Sequence, residues 1–321
     1  MTDQLTHDPG MRQTLKGKRR TSEKIILIGL FACGAISIAT TLGILWELGK
    51  ESLLFFQDPQ VSLWEYLSGT IWQPQAGSFG IWPLVLGTFL ITLIALSVAV
   101  PIGLAAAIYL SEYASQRVRG FFKPALEVLV GIPTVVFGFF AVTFMTPLLR
   151  DIFGSNVVGF FNVLSAGIVV GILIIPLVSS LSEDALSAVP DSLRQAAYGL
   201  GASKLEVSLR VVVPAALSGI AAGVVIAMSR AVGETMVVTL AAGAAPRNFT
   251  LGDDPLSYIL SPFEAGQAMT GYIVITASGD LAYNTIDYNS IFAIGLTLFL
   301  MTLGLNSMSR RIVKRYRQVY E

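Results

Sequence analysis

The chain has 321 residues, of which 54% are hydrophobic and 13% are charged, and its formal net charge is zero. A soluble chain of this length intersperses apolar and polar residues, whereas here the apolar residues form runs long enough to cross a bilayer core of ~30 Å. The composition therefore excludes an ordinary water-soluble protein and predicts an all-α membrane protein.

The chain begins with a polar, basic stretch, which we assign as an arm at residues 1–24. This stretch is too polar, and the apolar run after it too long, for a cleaved secretory signal, so we expect the first span to be an uncleaved anchor. Apolar runs predict six transmembrane helices. In chain order they extend approximately over Ile25–Leu48, Gly80–Leu110, Pro124–Leu149, Leu164–Ser182, Ala215–Ala245 and Ser290–Ser309.

Several of these runs contain proline. Membrane helices tolerate proline because neighbouring groups satisfy the freed backbone, so we interpret Pro101, Pro133 and Pro176 as kinks rather than breaks. The second run exceeds the ~20 residues that a bilayer requires, which predicts a tilt, a bend or an extension beyond the lipid.

The basic residues predict the orientation. They are concentrated in the arm, in the loops after the second and fourth spans, and in a tail at residues 310–321: Arg12, Lys16, Lys18, Arg19, Arg20, Lys24, Arg117, Arg119, Lys123, Arg194, Lys204, Arg210, Arg310, Arg311, Lys314, Arg315 and Arg317. By the positive-inside rule, both termini and the loop at about 183–214 are predicted to be cytoplasmic. The loops at about 49–79 and 246–289 are then external, and the transmembrane domain covers residues 25–309.

The external loops are too long to be simple turns. Their aromatic residues fit either an interfacial belt or a docking surface, and include Trp64, Tyr66, Trp72 and Tyr258.

The cytoplasmic loop at about 183–214 predicts two short helices joined by an elbow. Pro190 suits the first turn of a helix whose periodicity separates two faces. The apolar face consists of Leu193, Ala196, Ala197 and Leu200, and the polar face of Asp191, Arg194 and Gln195. Gly201 is suited to end this helix, and Ser203 with Glu206 fits a capping box for the next one.

The elbow resembles the coupling loop of ABC importer permeases. The resemblance rests on the run Arg194-Gln195-Ala196-Ala197-Tyr198-Gly199-Leu200-Gly201, followed by Pro214, at the spacing of the family's Glu-Ala-Ala, Gly and Ile-x-Leu-Pro pattern. Gln195 stands where the family has glutamate. The resemblance implies that the elbow docks into the groove of a separate ATPase subunit, whereas amphipathicity alone fits equally well a helix lying in the lipid headgroups.

A second constellation, Arg230 and Glu234, lies within the fifth predicted span. A charge at the centre of a membrane helix costs ~2.5–3.5 kcal/mol, so such residues mark a pathway by default. Their spacing puts both on one helical face, where they would form a private ion pair or line a pathway. We favour the pathway because the base-before-acid order is the weaker one and the pair offsets only a few tenths of a kcal/mol. Thr235 and Thr134 are further candidates, although a plain kink at Pro133 explains Thr134 equally well.

The expected cargo is an anion. A guanidinium presents a planar fork of donors that suits tetrahedral oxyanions. Several motifs are similar to those of phosphate ABC importer permeases: Ser111-Glu112-Tyr113-Ala114, Lys123-Pro124-Ala125-Leu126-Glu127, Gly131 to Phe139, and Arg230 to Met236. The stretches Ser261-Pro262-Phe263, Met269-Thr270-Gly271-Tyr272-Ile273 and Gly279-Asp280 are more similar to the PstC type than to the PstA type.

This resemblance implies a multi-pass subunit of the bacterial inner (plasma) membrane that acts in phosphate import. Its implied partners are a second, PstA-like permease, a PstB-like ATPase homodimer that binds ATP and Mg, and an external PstS-like phosphate-binding protein. Permeases for sulfate or molybdate, and an ion-coupled secondary carrier, remain the alternatives.

The chain itself is not expected to be an enzyme. Its Gly-Lys pairs lack the upstream glycine and the strand of a P-loop, and no Ser/His or paired-Asp constellation lies in the spans. Cys33 is the only cysteine and His7 the only histidine, so neither an intrachain disulfide nor a histidine-based metal site is expected.

Overall fold

The structure, a computed structural model, describes residues 21–249, 261–279, 282–283 and 285–316. Most of the predicted basic arm, the end of the basic tail and Tyr258 lie outside the described residues. The chain divides into two compact units, residues 1–50 and residues 51–321. The described part of the first unit consists of a single helix, α1, which begins at Thr21 and continues into the second unit to end at Gln57.

Within the described residues, the second unit is mostly helical and has one short antiparallel pair of strands, β1 (Trp72–Gln73) and β2 (Ser78–Phe79). After α1, its helices are α2 (Leu63–Ser68), α3 (Trp82–Ile108), α4 (Gln116–Val130), α5 (Thr134–Phe140), α6 (Thr146–Phe153), α7 (Val163–Ser187), α8 (Asp191–Gly199), α9 (Lys204–Val207), α10 (Val213–Val232), α11 (Met236–Ala241), α12 (Met269–Ala277) and α13 (Ile286–Tyr316). Three π-helical segments continue α3, join α5 to α6 and join α9 to α10: π1 (Tyr109–Tyr113), π2 (Ala141–Met145) and π3 (Ser208–Val212).

The predicted number of spans is confirmed within the described residues. Six continuous helical stretches are long and apolar enough to cross a membrane: Glu23–Gln57, Trp82–Tyr113, Thr134–Phe153, Val163–Ser187, Lys204–Val232 and Ile286–Arg311. We call the end of the bundle that carries residues 188–203 the coupling-loop side, and the opposite end the far side.

Helix α7 forms the centre of the second unit, and small residues let its neighbours approach closely. A Cβ atom added at Gly167 would lie 2.7 Å from the Cβ of Ile94 in α3, so the two backbones are in close contact there. Nearer the coupling-loop end of α7, a Cβ added at Gly219 of α10 would lie 2.6 Å from the Cβ of Ala185. The small-residue seams therefore fix α3 and α10 against α7.

The third predicted span, Pro124–Leu149, is wrong as a single helix. Helix α4 begins earlier, at Gln116, and ends at Val130; α5 begins at Thr134 after a short break. Pro133 has no N–H and disfavours helical backbone at the residue before it, so together with Gly131 it breaks this helix rather than kinking it. Pro101 and Pro176, in contrast, lie inside continuous helices, as predicted.

Ion pairs fasten α4 to the coupling-loop end of α7. Arg119 and Lys123 both bind the buried carboxylate of Glu183, Lys123 at 2.8 Å, and Lys123 also lies 2.7 Å from Asp184. Hydrogen bonds to Asp184 and Glu183 raise the pKa of the Lys123 ammonium, which stays charged. The break at Gly131–Pro133 thus separates an anchored α4 from α5.

The far side is closed by a cluster of aromatic residues instead of an aromatic belt. Tyr66 and Trp72 are each 1% exposed and pack edge-to-face at 6.3 Å between ring centroids, together with Phe55, Phe79 and Tyr272. The Tyr66 hydroxyl bonds to Thr297 Oγ1 at 2.7 Å, and burial raises the pKa of its phenol. Trp64 is exposed, so the predicted belt is wrong for Tyr66 and Trp72, whose side chains belong to the core.

Candidate transport pathway and coupling loop

The fifth span is interrupted at its charged motif. Helix α10 ends at Val232 and α11 begins at Met236, whereas one helix over Ala215–Ala245 was predicted. The Gly233 N–H still donates to the Ser229 carbonyl at 3.2 Å, but the Glu234 N–H donates to Ala231, three residues back. The helical ladder is therefore lost after Gly233, at Glu234 and Thr235, where backbone groups need other partners.

Arg230 and Glu234 do not share a helical face. Arg230 lies in the last turn of α10 and is exposed on the surface of this chain, whereas Glu234 lies in the break and is 5% exposed. Within the described residues no ion pair or hydrogen bond joins the two side chains. The alternative of a private intrahelical ion pair is thus excluded in this conformation, and the guanidinium remains available to an anion.

Thr235 connects the break to α11. Its hydroxyl donates to the Gly233 carbonyl at 3.1 Å, and its own carbonyl accepts both the N–H and the hydroxyl of Thr239, at 2.9 and 2.7 Å. The hydroxyl of Thr235 thus satisfies a carbonyl that the helix has released.

Thr134 opens the other interrupted span and lies near this break. It is half-buried and is the first residue of α5, which packs against α11. The contact is tightest at Gly138, one turn after Thr134, where an added Cβ would lie 3.1 Å from the Met236 carbonyl oxygen. The structure therefore packs the half-helix that Thr134 begins against the half-helix that follows the break at Glu234 and Thr235.

A buried segment from the far side completes the region, and it lies within the stretch at about 246–289 that was predicted to be an external loop. Residues 261–268 begin with a turn at 262–263, residues 266–268 are buried in the bundle, and the N-terminal end of α12 is buried as well. The Met269 N–H donates to Thr88 Oγ1 at 3.0 Å, and the Thr270 hydroxyl donates to the Glu234 carbonyl at 2.8 Å. The signal for it was the apolar run at 268–277, which is too short to span and is typical of a re-entrant segment.

The predicted coupling elbow is present. Helix α8 begins directly after Pro190, and Gly201 follows it in left-handed backbone with φ of 84°. Ser203 Oγ accepts the Glu206 N–H at 3.4 Å, and Glu206 Oε2 accepts the Ser203 N–H at 2.9 Å, so the capping box is confirmed. Pro214 follows π3 within the continuous helical stretch Lys204–Val232, where it has no N–H to donate to the preceding turn.

The faces of α8 differ from those expected from periodicity. Leu193 and Ala197 are half-buried against the bundle, but Ala196 is exposed and Leu200 is 90% exposed. Leu200 does not lie on the apolar face because it follows the last residue of the helix. Leu200, Ala197 and Gly201 help to line an open recess of about 410 Å³.

Gln195 and Arg194 point in different directions. Gln195 is exposed, together with Ala196, and is free to contact another subunit. The Arg194 side chain is only 15% exposed and bonds to Glu112 Oε1 at 2.9 Å and to the Leu186 carbonyl at 2.9 Å. The exposed surface of α8 therefore contains Gln195 and Ala196 together with the carboxylate of Asp191, whereas Arg194 faces inward.

Comparisons with known proteins cover most of the chain. Residues 99–318 match the sequence profile of the family described as binding-protein-dependent transport system inner membrane component. The probable ABC transporter permease protein YqgH of Bacillus subtilis (strain 168) is 33% identical over 273 residues, 84% of this chain and 84% of that protein. The phosphate transport system permease protein PstC of Mesorhizobium japonicum is 30% identical over 302 residues, 88% of this chain and 89% of that protein.

A solved structure shows the same fold. The crystal structure of a bacterial alginate ABC transporter, in complex with its alginate pentasaccharide-bound periplasmic protein, aligns with a TM-score of 0.61 at 15% identity. The alignment covers 91% of this chain and 96% of that one. At this identity the likeness establishes the fold alone.

Proposed function

The chain belongs to the family of binding-protein-dependent transport system inner membrane components, and from this we propose that it is the PstC-type permease subunit of a phosphate ABC importer. The membership makes it a multi-pass inner membrane transport subunit and not an enzyme, as predicted. The observation that carries the cargo assignment is its likeness, over 88% of the chain, to a protein named phosphate transport system permease protein PstC.

The chemistry of the interrupted fifth span supports an anionic cargo. Arg230 offers a guanidinium that no carboxylate of the described residues neutralises, and its fork of donors matches two oxygens of a phosphate ion. Glu234 follows Arg230 by four residues in the sequence and is buried, but the break keeps the two side chains apart. Glu234 therefore limits the local positive charge without forming an ion pair with Arg230. An anion binds here briefly and is released as the bundle changes conformation. The hydroxyls of Thr134 and Thr235 supply further polar contacts along this path.

The energy for transport comes from other subunits in this proposal. We infer that the chain pairs with a PstA-like permease, receives phosphate from a PstS-like binding protein at the far side, and docks on a PstB-like ATPase homodimer that binds ATP and Mg. The exposed surface of α8 around Gln195 and Ala196, together with the recess beside Leu200, supports docking of an ATPase there. In this proposal the coupling-loop side and both termini are cytoplasmic, in keeping with the distribution of basic residues.

The proposal is tested in proteoliposomes that contain both permeases and the ATPase, with the binding protein added outside. Uptake of radiolabelled phosphate is expected to require ATP inside, to stop with a non-hydrolysable analogue, and to persist in excess sulfate or molybdate. Competition by those ions would instead identify a permease for another oxyanion. Uptake driven by an ion gradient without nucleotide would identify a secondary carrier.

The pathway role is tested with Arg230→Ala in the same vesicles. We expect the variant to assemble and to bind the ATPase normally, but to lose phosphate uptake. Arg310→Ala is the matched control, because Arg310 is also an exposed arginine but lies near the end of α13. Wild-type uptake by Arg230→Ala would refute the pathway role.

A further inference from the structure

Both arms of the elbow attach to the same short segment of the permease, the π-helical end of α3. From α8, Arg194 Nη2 lies 2.9 Å from Glu112 Oε1, and its Nε lies 3.5 Å from Glu112 Oε2. From α9, the Lys204 ammonium lies 4.9 Å above the centre of the Tyr113 ring. Glu112 and Tyr113 are adjacent in the motif Ser111-Glu112-Tyr113-Ala114, to which the pathway assigns no role.

We propose that Glu112 and Tyr113 form the seat through which the elbow moves the second span, with Arg194 as the positioning residue that acts through Glu112. This inference rests on the proposed function, because it concerns how movement of the ATPase reaches the membrane helices. It assigns Arg194 to the interior of the permease and leaves the ATPase contact to the outward residues of α8.

The contacts of Arg194 show why it acts within the chain. Besides Glu112, its guanidinium donates to the Val189 carbonyl at 2.6 Å and to the Leu186 carbonyl at 2.9 Å. These carbonyls belong to the end of α7 and the turn after it. A single side chain therefore joins α8, the end of α7 and the end of α3, and its donors are already engaged.

The rest of α8 offers little to replace this attachment. None of its residues is fully buried, and Leu193 and Ala197 make only half-buried contacts with the bundle. The Glu112 side chain, in contrast, is 5% exposed. A buried charged hydrogen bond of this kind is directional, so it transmits a displacement that a few small apolar contacts do not.

The backbone at the seat is suited to transmit such a movement. Segment π1 is closed by a hydrogen bond from the Ala114 N–H to the Tyr109 carbonyl at 2.9 Å, and π3 follows α9 on the other side of the elbow. π-Helical turns are rare and occur mostly at functional sites. The elbow is thus linked to α3 and to α10 through a π-helical segment on each side.

The decisive experiment uses Glu112→Gln in the complete transporter with binding protein. We expect the ATPase to co-purify at the wild-type ratio and basal ATP hydrolysis to continue. The phosphate imported per ATP hydrolysed should fall about tenfold, which corresponds to a free-energy difference of ~1.4 kcal/mol. Asp191→Asn is the matched control: Asp191 also lies 3.2 Å from the Arg194 guanidinium, but its side chain is 84% exposed. Its ratio of phosphate to ATP is expected to stay at the wild-type value.

A second pair of variants tests the seat without changing the buried carboxylate. Tyr113 is 40% exposed, so both replacements are expected to fold. Tyr113→Phe retains a ring below Lys204 and should keep coupling, whereas Tyr113→Leu should lower the phosphate imported per ATP by roughly two- to fivefold, as expected for an exposed cation–π contact.

The outcomes separate this inference from the proposed function. If the wild-type transporter does not import phosphate, the proposed function fails. If it does, and Glu112→Gln and Tyr113→Leu both import phosphate at the wild-type ratio to ATP, only the seat is refuted. Loss of ATPase co-purification in Arg194→Ala, with Glu112→Gln normal, would also overturn the inference, because Arg194 would then contact the ATPase itself.

Discussion

Replacement of Thr270 by valine tests whether the re-entrant segment holds the helix break in place. Thr270 is 6% exposed, and its hydroxyl donates to the Glu234 carbonyl at 2.8 Å. Valine has nearly the same shape but no donor. In the part of the chain that the structure describes, the Thr270 hydroxyl is the donor to the Glu234 carbonyl. Thr270→Val therefore leaves the Glu234 carbonyl without a hydrogen bond inside the bundle.

The cost follows from burial. A buried carbonyl that loses its partner costs ~1–3 kcal/mol, which corresponds to a roughly 5- to 150-fold shift between conformations with and without the hydrogen bond. The same region contains a matched control, because the Thr239 hydroxyl donates to the Thr235 carbonyl at 2.7 Å while the Thr239 N–H donates to the same oxygen. Thr239→Val therefore leaves no carbonyl without a donor, and its effect should stay within ~0.5 kcal/mol.

The assay compares both variants in detergent and in proteoliposomes. We expect Thr270→Val to melt several degrees lower than wild type and to lose at least about fivefold in phosphate uptake, the lower bound of that shift. Thr239→Val should resemble wild type in both measurements. Equal behaviour of the two variants would refute the argument that the Thr270 hydroxyl positions the break.

Two further substitutions test backbone geometry and packing. Gly201→Val places a β-branched residue at φ of 84°, which costs about 1–2 kcal/mol, and we expect its ATP hydrolysis to continue without matching phosphate uptake. Gly201→Asn is the control, because asparagine tolerates this backbone conformation and should keep hydrolysis coupled to uptake. Full phosphate uptake by the valine variant would contradict this reasoning. Gly167→Leu brings a side chain against Ile94 where a Cβ alone would lie 2.7 Å away, so the recovery of assembled permease from membranes should fall. Gly29→Leu, at a position with open space around it, serves as its control, and equal recovery of the two variants would disprove the packing argument.

The sequence predicts most of the architecture because the forces behind it are local. Runs of apolar residues predict the spans. The elbow is equally predictable, since Pro190, Gly201 and the capping box at Ser203 act through their own backbone. These features do not depend on contacts with residues that are distant in the sequence.

The interruptions of the third and fifth spans were not predicted. Apolar character continues across Gly131–Pro133, so hydropathy does not distinguish a break from a kink, and Pro101 shows that proline alone does not decide. At Glu234 the charge was recognised, but its burial depends on Thr270 and the segment that carries it. The inward turn of Arg194 depends on Glu112, 82 residues away, which no local periodicity reveals.

The aromatic cluster on the far side has a consequence for synthesis of the protein. The backbone N–H of Trp72 donates to Asn248 Oδ1, 176 residues later, and the Tyr66 hydroxyl donates to the Ala293 carbonyl, 227 residues later. Membrane helices enter the bilayer as the chain emerges, so these two hydrogen bonds form only after the later parts of the chain have been made. A chain that stops before α13 would therefore present an exposed apolar surface to the chaperones and proteases that monitor the membrane.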